Sequence, residues 1–282
     1  WCPRQVQRAR VVYTLHDLGF TLQPDWTTEA NRIGCFDGVV TAAAFADWIV
    51  AVSQASKEHF LQVFPFFPES RVSVVHPCSR FREPLGQGVR PDVLAHVEPG
   101  RFWLSVGTIE PRKNQIRLAE AYAAYLAAGG PAMPLVFAGG AGWLMEDFQM
   151  RLDRLGIAAN VICTGYVTDE NLIWLYRNCH ANLYPSLFEG FGLPVLEGMQ
   201  FGAPTISSNS SSLPEVAGEA ALLLDPMAVD DWASAMLMIA RDRVRRDRMS
   251  ADAVSRSAMF DWSASARKLE ATYQAALAQP KR

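Results

Sequence analysis

The sequence has no surplus of charge, no closely spaced cysteine pair and no unbroken apolar run, and each lack removes a class of function. With 26 basic and 29 acidic residues the formal net charge is −3, which excludes a general nucleic-acid binder held by bulk positive charge and leaves only a local basic face. The five cysteines, Cys2, Cys35, Cys78, Cys163 and Cys179, are odd in number, widely spread and without Cys-x2-Cys spacing. They point away from a disulfide framework or a zinc site and towards a reducing cytoplasm. The longest uncharged run, Ala121 to Met145, is cut by Gly129-Gly130-Pro131, Pro134 and Gly139-Gly140, so it reads as helix end, turn, strand and turn rather than a membrane span. No basic, apolar and small-residue progression opens the chain, and no export signal is expected. No Asp-x-Asp pair for Mg²⁺ or Mn²⁺ occurs. No Gly-x-Gly-x-x-Gly follows an early strand, which sets aside a nicotinamide dehydrogenase; Gly139-Gly140-Ala141-Gly142 has the wrong third spacing and reads as a plain tight turn.

At 282 residues, 50% of them hydrophobic, the chain can bury one large core or two modest ones. Residues 1 to about 80 alternate. Val11 to Leu15 reads as a strand, an irregular and then helical stretch runs to Phe45, Trp48 to Val52 is a strand, a helix follows Ser53, and Val72 to Val75 is a strand. Such alternation predicts a parallel α/β sheet, and three strands are about half of the roughly six in a doubly wound sheet. With Trp rather than Met at position 1, the expectation is that the N-terminal part of this domain is absent. Phe64-Pro65-Phe66-Phe67-Pro68 is unusually apolar for a connection, and predicts either a membrane-touching loop or a face buried against that absent part. Ser79 to Gly100, with Pro84, Gly86, Gly88, Pro91 and Pro99, reads as a linker.

From Arg101 the alternation restarts. Strands are expected at Phe102 to Val106, Leu135 to Ala138, Val161 to Thr164, Ala181 to Tyr184, Thr205 to Ser207 and Ala221 to Leu224. Helices are expected from about Asn114, Trp143, Asp169 and Pro194, with a short one near Pro214. These strands predict a second, complete Rossmann-like domain. Asp230 to Leu277 reads as helical, with Arg241, Arg243, Arg245, Arg246 and Arg248 on a solvated face.

Between the strand ending at Tyr184 and the helix from Pro194 to Phe201 lies a turn containing Glu189-Gly190-Phe191-Gly192. A glycine-flanked turn feeding a helix leaves backbone N–H groups pointing outward with the positive end of the helix dipole behind them, a site suited to phosphate. Glu189 and Glu197 are eight residues apart, so the second lies about one turn inside the helix and faces the same crevice. Carboxylates accept hydrogen bonds from sugar and ribose hydroxyls, and a nucleotide sugar suits the combination. Taken singly, Glu189 reads as a surface acid at a helix N-terminus, stabilised by the dipole, and Glu197 as an ordinary solvent-facing side chain. Arg112 and Lys113 follow a strand at its carboxyl edge, where open α/β sheets bind ligands; cations there meet either phosphate or water. His16-Asp17 follows the first strand, as a packed side chain or as a ligand contact.

The string Glu189-Gly190-Phe191-Gly192-Leu193-Pro194-Val195-Leu196-Glu197-Gly198-Met199, with Gly202-Ala203-Pro204 after it, resembles the signature of the retaining glycosyltransferases of family four, also called glycosyltransferase group 1, which carry a Glu-x7-Glu motif. The resemblance continues through Ser210-Ser211-Ser212-Leu213-Pro214-Glu215-Val216-Ala217-Gly218, Leu224-Asp225-Pro226 and Val106-Gly107-Thr108-Ile109-Glu110-Pro111-Arg112-Lys113-Asn114, and around Thr14 to Phe20 with Pro24-Asp25-Trp26. It implies the α/β GT-B fold, two Rossmann-like domains facing a cleft. Here these would be a partial acceptor-side domain (1–82), a linker (83–100), a nucleotide-sugar-binding domain (101–260) and a helix crossing back to the N-terminal domain (261–282).

The resemblance also implies site roles. His16 lies beside the transferred sugar, Arg112 and Lys113 bind the donor diphosphate, Glu189 reaches the sugar, Glu197 holds the ribose hydroxyls, and Gly190, Phe191, Gly192 and Leu193 line the donor site. Two departures stand out: many relatives carry Arg where this chain has Thr108, and the family's N-terminal glycine-rich loop has no counterpart before Val11. The segment from Gly107 to Asn114 resembles mannosyltransferases that use GDP-mannose. The expected activity is retaining, metal-independent transfer of a hexose, with the nucleotide sugar as substrate and no cofactor, to a saccharide or lipid-linked acceptor in cell-surface polysaccharide synthesis. The expected place is the cytoplasm, or peripherally the inner face of the cell membrane. A non-catalytic nucleotide-sugar-binding fragment and a UDP- or ADP-sugar donor stand as alternatives.

Overall fold

The computed structural model describes residues 2–3, 6, 8–81, 86–140, 142 and 147–282. The chain forms two compact units, one of Trp1–Cys78, Glu189–Phe191 and Phe260–Arg282, the other of Ser79–Phe188 and Gly192–Met259.

In the first unit the apolar runs become three parallel strands, β1 (Val12–Leu15), β2 (Trp48–Ala51) and β3 (Val72–Val74), in that order across the sheet. Helices α1 (Gly19–Leu22) and α2 (Glu29–Phe45) connect β1 to β2, and α3 (Gln54–Val63) connects β2 to β3. The starts of α2 and α3 are set by Thr28 and Ser53, whose side chains accept the N–H groups of Asn31 and Ser56. Phe60 packs on Phe64 and Phe67 at ring-centroid distances of 5.1 and 5.2 Å. The apolar connection after α3 is therefore mostly this unit's own core, with Phe66 turned outward at 65% exposure. Buried Asp47 is compensated by the backbone N–H groups of Val11 and Arg282, each at 2.9 Å, and by Arg10 at 4.0 Å. The terminal helix Trp262–Ala278 belongs to this unit, where Arg10 donates to the carbonyls of Ala276 and Gln279 at 3.2 and 2.6 Å.

The second unit holds six parallel strands, β4 (Trp103–Val106), β5 (Leu135–Ala138), β6 (Val161–Gly165), β7 (Ala181–Tyr184), β8 (Thr205–Ser208) and β9 (Ala221–Leu224), in the order β6-β5-β4-β7-β8-β9. Its helices are α4 (Gln115–Ala127), α5 (Phe148–Arg154), α6 (Asp169–Asn178), α7 (Leu193–Gln200), α8 (Leu213–Ala217), α9 (Val229–Arg241) and α10 (Arg243–Ser257). Trp103 packs in one apolar cluster with Leu118, Tyr122 and Trp232, while Phe102 and Leu104 pack in another with Leu175, Tyr176 and Phe201. Alternate residues thus point to opposite covered faces, which is why the strand reads as a continuous apolar run. Winding reverses between β4 and β7, so the carboxyl ends of those two strands form the switch point where open sheets take ligands.

Several expectations change. The helix start expected at Trp143 lies outside the described residues, and α5 begins at Phe148. Gly139 is more than a tight turn: a β-carbon there would collide with the Gly107 carbonyl, so glycine lets the β5 loop press against the β4 loop. The helical stretch from Asp230 is broken at Asp242, which caps a new helix by accepting the N–H group of Arg245 at 2.9 Å; the terminal helix expected from 261 does start there, capped by Asp261, which accepts the N–H group of Ala264 at 2.9 Å. Arg246 leaves the solvated face and places a guanidinium nitrogen 3.3 Å from both ring nitrogens of buried His180. Of the linker 83–100, residues 83–85 lie outside the described residues; Leu94 and Val97 are buried in the second unit's core.

Candidate functional site

The switch point is built from three loops tied together by one buried asparagine. After β4 and Gly107 the chain makes a 3-10 turn, Pro111–Lys113, and Asn114 takes a left-handed conformation at φ 61° before α4, a conformation that asparagine tolerates better than most residues. From there its Nδ2 donates to the carbonyls of Pro185 at 3.1 Å and Pro226 at 2.8 Å. The loops after β4, β7 and β9 are thereby fixed at one edge.

Arg112 and Lys113 point into this assembly. Arg112 Nη1 donates to the Phe188 carbonyl at 2.8 Å and Nη2 to Glu110 Oε1 at 2.8 Å. Glu110 is a buried carboxylate, 2% exposed, and the pair satisfies it. Lys113 Nζ donates to Tyr184 Oη at 2.7 Å, at the end of β7. Across the turn, Ser186 Oγ is 3.2 Å from the Arg112 carbonyl, and Ser208 and Ser210 donate to the Ser186 carbonyl at 2.5 and 2.9 Å. Gly192 caps α7 at φ 109°, Leu193 opens the helix and Pro194 occupies its first turn, where a missing N–H costs nothing.

Glu197 sits one turn into α7 and is buried, 4% exposed. Tyr176 Oη donates to its Oε2 at 3.2 Å, and Arg80 Nε lies 3.3 Å from its Oε1. Burial pushes the carboxyl up to about 7, against the pull of Arg80 and Tyr176. The bland reading of Glu197 as a solvent-facing side chain is thus excluded.

The remaining site residues lie in the first unit. Glu189, Gly190 and Phe191 cluster there with His16. Ser56 Oγ is 2.8 Å from the His16 carbonyl and 3.1 Å from the Gly190 carbonyl. A β-carbon on Gly190 would collide with the same His16 carbonyl, so glycine is what allows this contact. Glu189 is buried at 7% exposure, and the His16 side chain is exposed. Phe191 packs between His76 and Phe260, both at 5.7 Å between ring centroids. The structure thus groups His16 with Glu189, Gly190 and Phe191, and groups Arg112, Lys113, Gly192, Leu193 and Glu197 in the second unit. Among the described residues no group of three or more His, Cys, Asp or Glu side chains is placed to hold a metal ion.

Sequence reasoning missed Arg80, Tyr176, Tyr184 and Asn114 as members of this edge. Tyr184 and Asn114 flank motifs already singled out, and Asn at a turn before a helix is itself a signal; Arg80 and Tyr176 carry none.

The pattern that defines the Glycosyl transferases group 1 family matches residues 90–256. The chain belongs to that family. Group 1 glycosyl transferases form retaining family four, and the two parallel α/β sheets are those of its GT-B fold. Among curated relatives, O-antigen chain mannosyltransferase B of Escherichia coli is 30% identical over 264 residues, covering 93% of this chain and 69% of the relative. The serotype-specific mannosyltransferase WbdA of Escherichia coli is 39% identical over 171 residues, 58% of this chain and 20% of the relative. Among solved structures, Anabaena HepE in complex with UDP and glucose superposes with a TM-score of 0.78 at 21% identity, covering 95% of this chain and 72% of that one. WaaG, a glycosyltransferase involved in lipopolysaccharide biosynthesis, gives 0.71 at 16% identity, with 93% and 73% covered.

Proposed function

We propose that this glycosyl transferase moves mannose from GDP-mannose, with retention and without a metal, to a saccharide or lipid-linked acceptor in cell-surface polysaccharide synthesis. The observation that carries the reading is the gathering of Arg112, Lys113, the α7 start and buried Glu197 at the β4–β7 switch point. Mannose is favoured because two relatives, 30% and 39% identical, are named mannosyltransferases.

In this reading Arg112 and Lys113 take the place of a metal, offsetting charge that grows on the departing diphosphate, and the N–H groups from Phe191 to Leu193 assist. The acceptor hydroxyl attacks from the face the diphosphate leaves, with Glu189 and His16 beside the sugar and Glu197 on the ribose. No protein nucleophile is required. Residues 1–82 serve the acceptor and 101–260 the donor. No helix among the described residues is long and apolar enough to cross a membrane; the proposed place is the cytoplasm, with peripheral contact at the inner face of the membrane.

The alternative is a UDP-sugar donor, favoured by the UDP held in the HepE structure. A calorimetric screen of the full chain against GDP, UDP, ADP and their sugars separates the two. Preference for GDP and GDP-mannose supports the proposal, preference for UDP replaces the donor, and binding of none overturns the nucleotide-sugar reading.

A further inference from the structure

Both oxygens of buried Glu197 are engaged, Oε1 by Arg80 Nε at 3.3 Å and Oε2 by Tyr176 Oη at 3.2 Å. Each carboxylate oxygen has two acceptor sites, so each can still receive a ligand hydroxyl. Arg80 is held in turn, with Nη1 3.2 Å from Asp169 Oδ1 and its guanidinium 5.1 Å from the Phe81 ring centroid. The bridge Asp169–Arg80–Glu197 spans α6 and α7 from outside, through a cation half exposed to water.

We propose that Arg80 is the positioning residue of Glu197: it keeps the buried carboxylate ionised and aimed so that it can accept the ribose hydroxyls of a nucleoside diphosphate. The inference rests on the reading of Glu197 as the ribose ligand. A carboxyl this deeply buried favours its neutral form, and in a neutral acid one acceptor position has become a donor. The charged and titratable groups around it are Arg80, Asp169 and Tyr176, with buried Cys179 beside Tyr176. Burial pushes the Tyr176 hydroxyl well above its usual range and the Cys179 thiol up to about 12. Both stay neutral donors, which leaves Glu197 as the group that titrates near about 7.

The test is calorimetric titration of the full chain with GDP and with 2′,3′-dideoxy-GDP from about pH 6 to about pH 9. The ratio of the two affinities cancels titration of the diphosphate, which the ligands share. In the wild type this ratio should rise as Glu197 ionises. In Arg80→Gln its midpoint should move to higher pH; a move of about one pH unit lowers the ratio about five-fold at pH 7 and restores it near pH 9. Arg80→Lys, which keeps the charge, should bring the midpoint back. A Gln variant whose midpoint stays in place, or whose ratio falls equally at every pH, overturns the inference. If wild-type protein binds the two ligands equally at all pH values, the ribose reading itself fails, and that outcome is distinct from a failure of Arg80.

Discussion

Glu197→Gln measures what it costs the fold to bury one carboxylate. Burial lifts this group from an ordinary 4.5 to about 7, with Arg80 and Tyr176 pulling the other way. The folded chain therefore binds the proton more tightly than the unfolded chain does. The stabilising contribution is fully present below about pH 4.5 and is lost as pH rises through about 7. The difference of about 2.5 in pKa, at about 1.36 kcal/mol for each unit, comes to about 3 kcal/mol. About 2.5 kcal/mol of that falls between pH 5 and pH 8. Glutamine keeps the shape and an acceptor oxygen but has no proton to lose. Relative to wild type, the variant should therefore gain about 2.5 kcal/mol of stability between pH 5 and pH 8, whatever its offset at either pH. Urea titrations of the transition that carries the six-stranded unit, with the slope compared between proteins, give the two free energies. Parallel pH profiles would refute the reasoning, since the carboxylate would then be ionised in both states and Arg80 with Tyr176 would outweigh burial.

How much was legible in the sequence depended on whether the cause was local. β5, β7 and β9 begin and end where expected; in β5 every residue is apolar and buried, as in a strand covered on both faces. The motif around Glu189 announced its strand, turn and helix through Tyr184, Gly190, Gly192 and Pro194. The break at Asp242 was hidden by the dense charge around it, although aspartate before a helical run is itself a cap signal. Glu197 looked like a solvent-facing acid since nothing nearby in sequence shows that α6 covers it. Its partners Tyr176 and Arg80 are 21 and 117 residues away, and such a pairing follows from the sheet order rather than from spacing. Gly139 read as a turn for the same reason: the Gly107 carbonyl that demands it belongs to a neighbouring strand's loop.

Three further outcomes test the site itself. Lys113→Ala should weaken GDP binding by about 1.5–3 kcal/mol, the range for a hydrogen bond to a charged group, while Tyr184→Phe, which removes only the hydroxyl that Lys113 donates to, should keep most of the affinity; unchanged binding in the alanine variant removes Lys113 from the site. Turnover should persist in EDTA, and a loss restored by Mn²⁺ would contradict the assignment of charge stabilisation to Arg112 and Lys113. The two acids of the motif should divide their labour. Glu189 precedes the glycine turn and is the acid proposed to meet the transferred sugar, whereas Glu197 lies inside α7, buried and held by Arg80 and Tyr176. An interaction made mainly in the transition state appears in kcat, and one made equally in the ground state appears in KM. Steady-state kinetics with the preferred donor should therefore show Glu189→Gln lowering kcat with nucleoside diphosphate affinity retained, and Glu197→Gln raising KM more than it lowers kcat. Should Glu197→Gln abolish turnover with GDP affinity intact, or Glu189→Gln behave as wild type, the roles are misassigned even though the family is right.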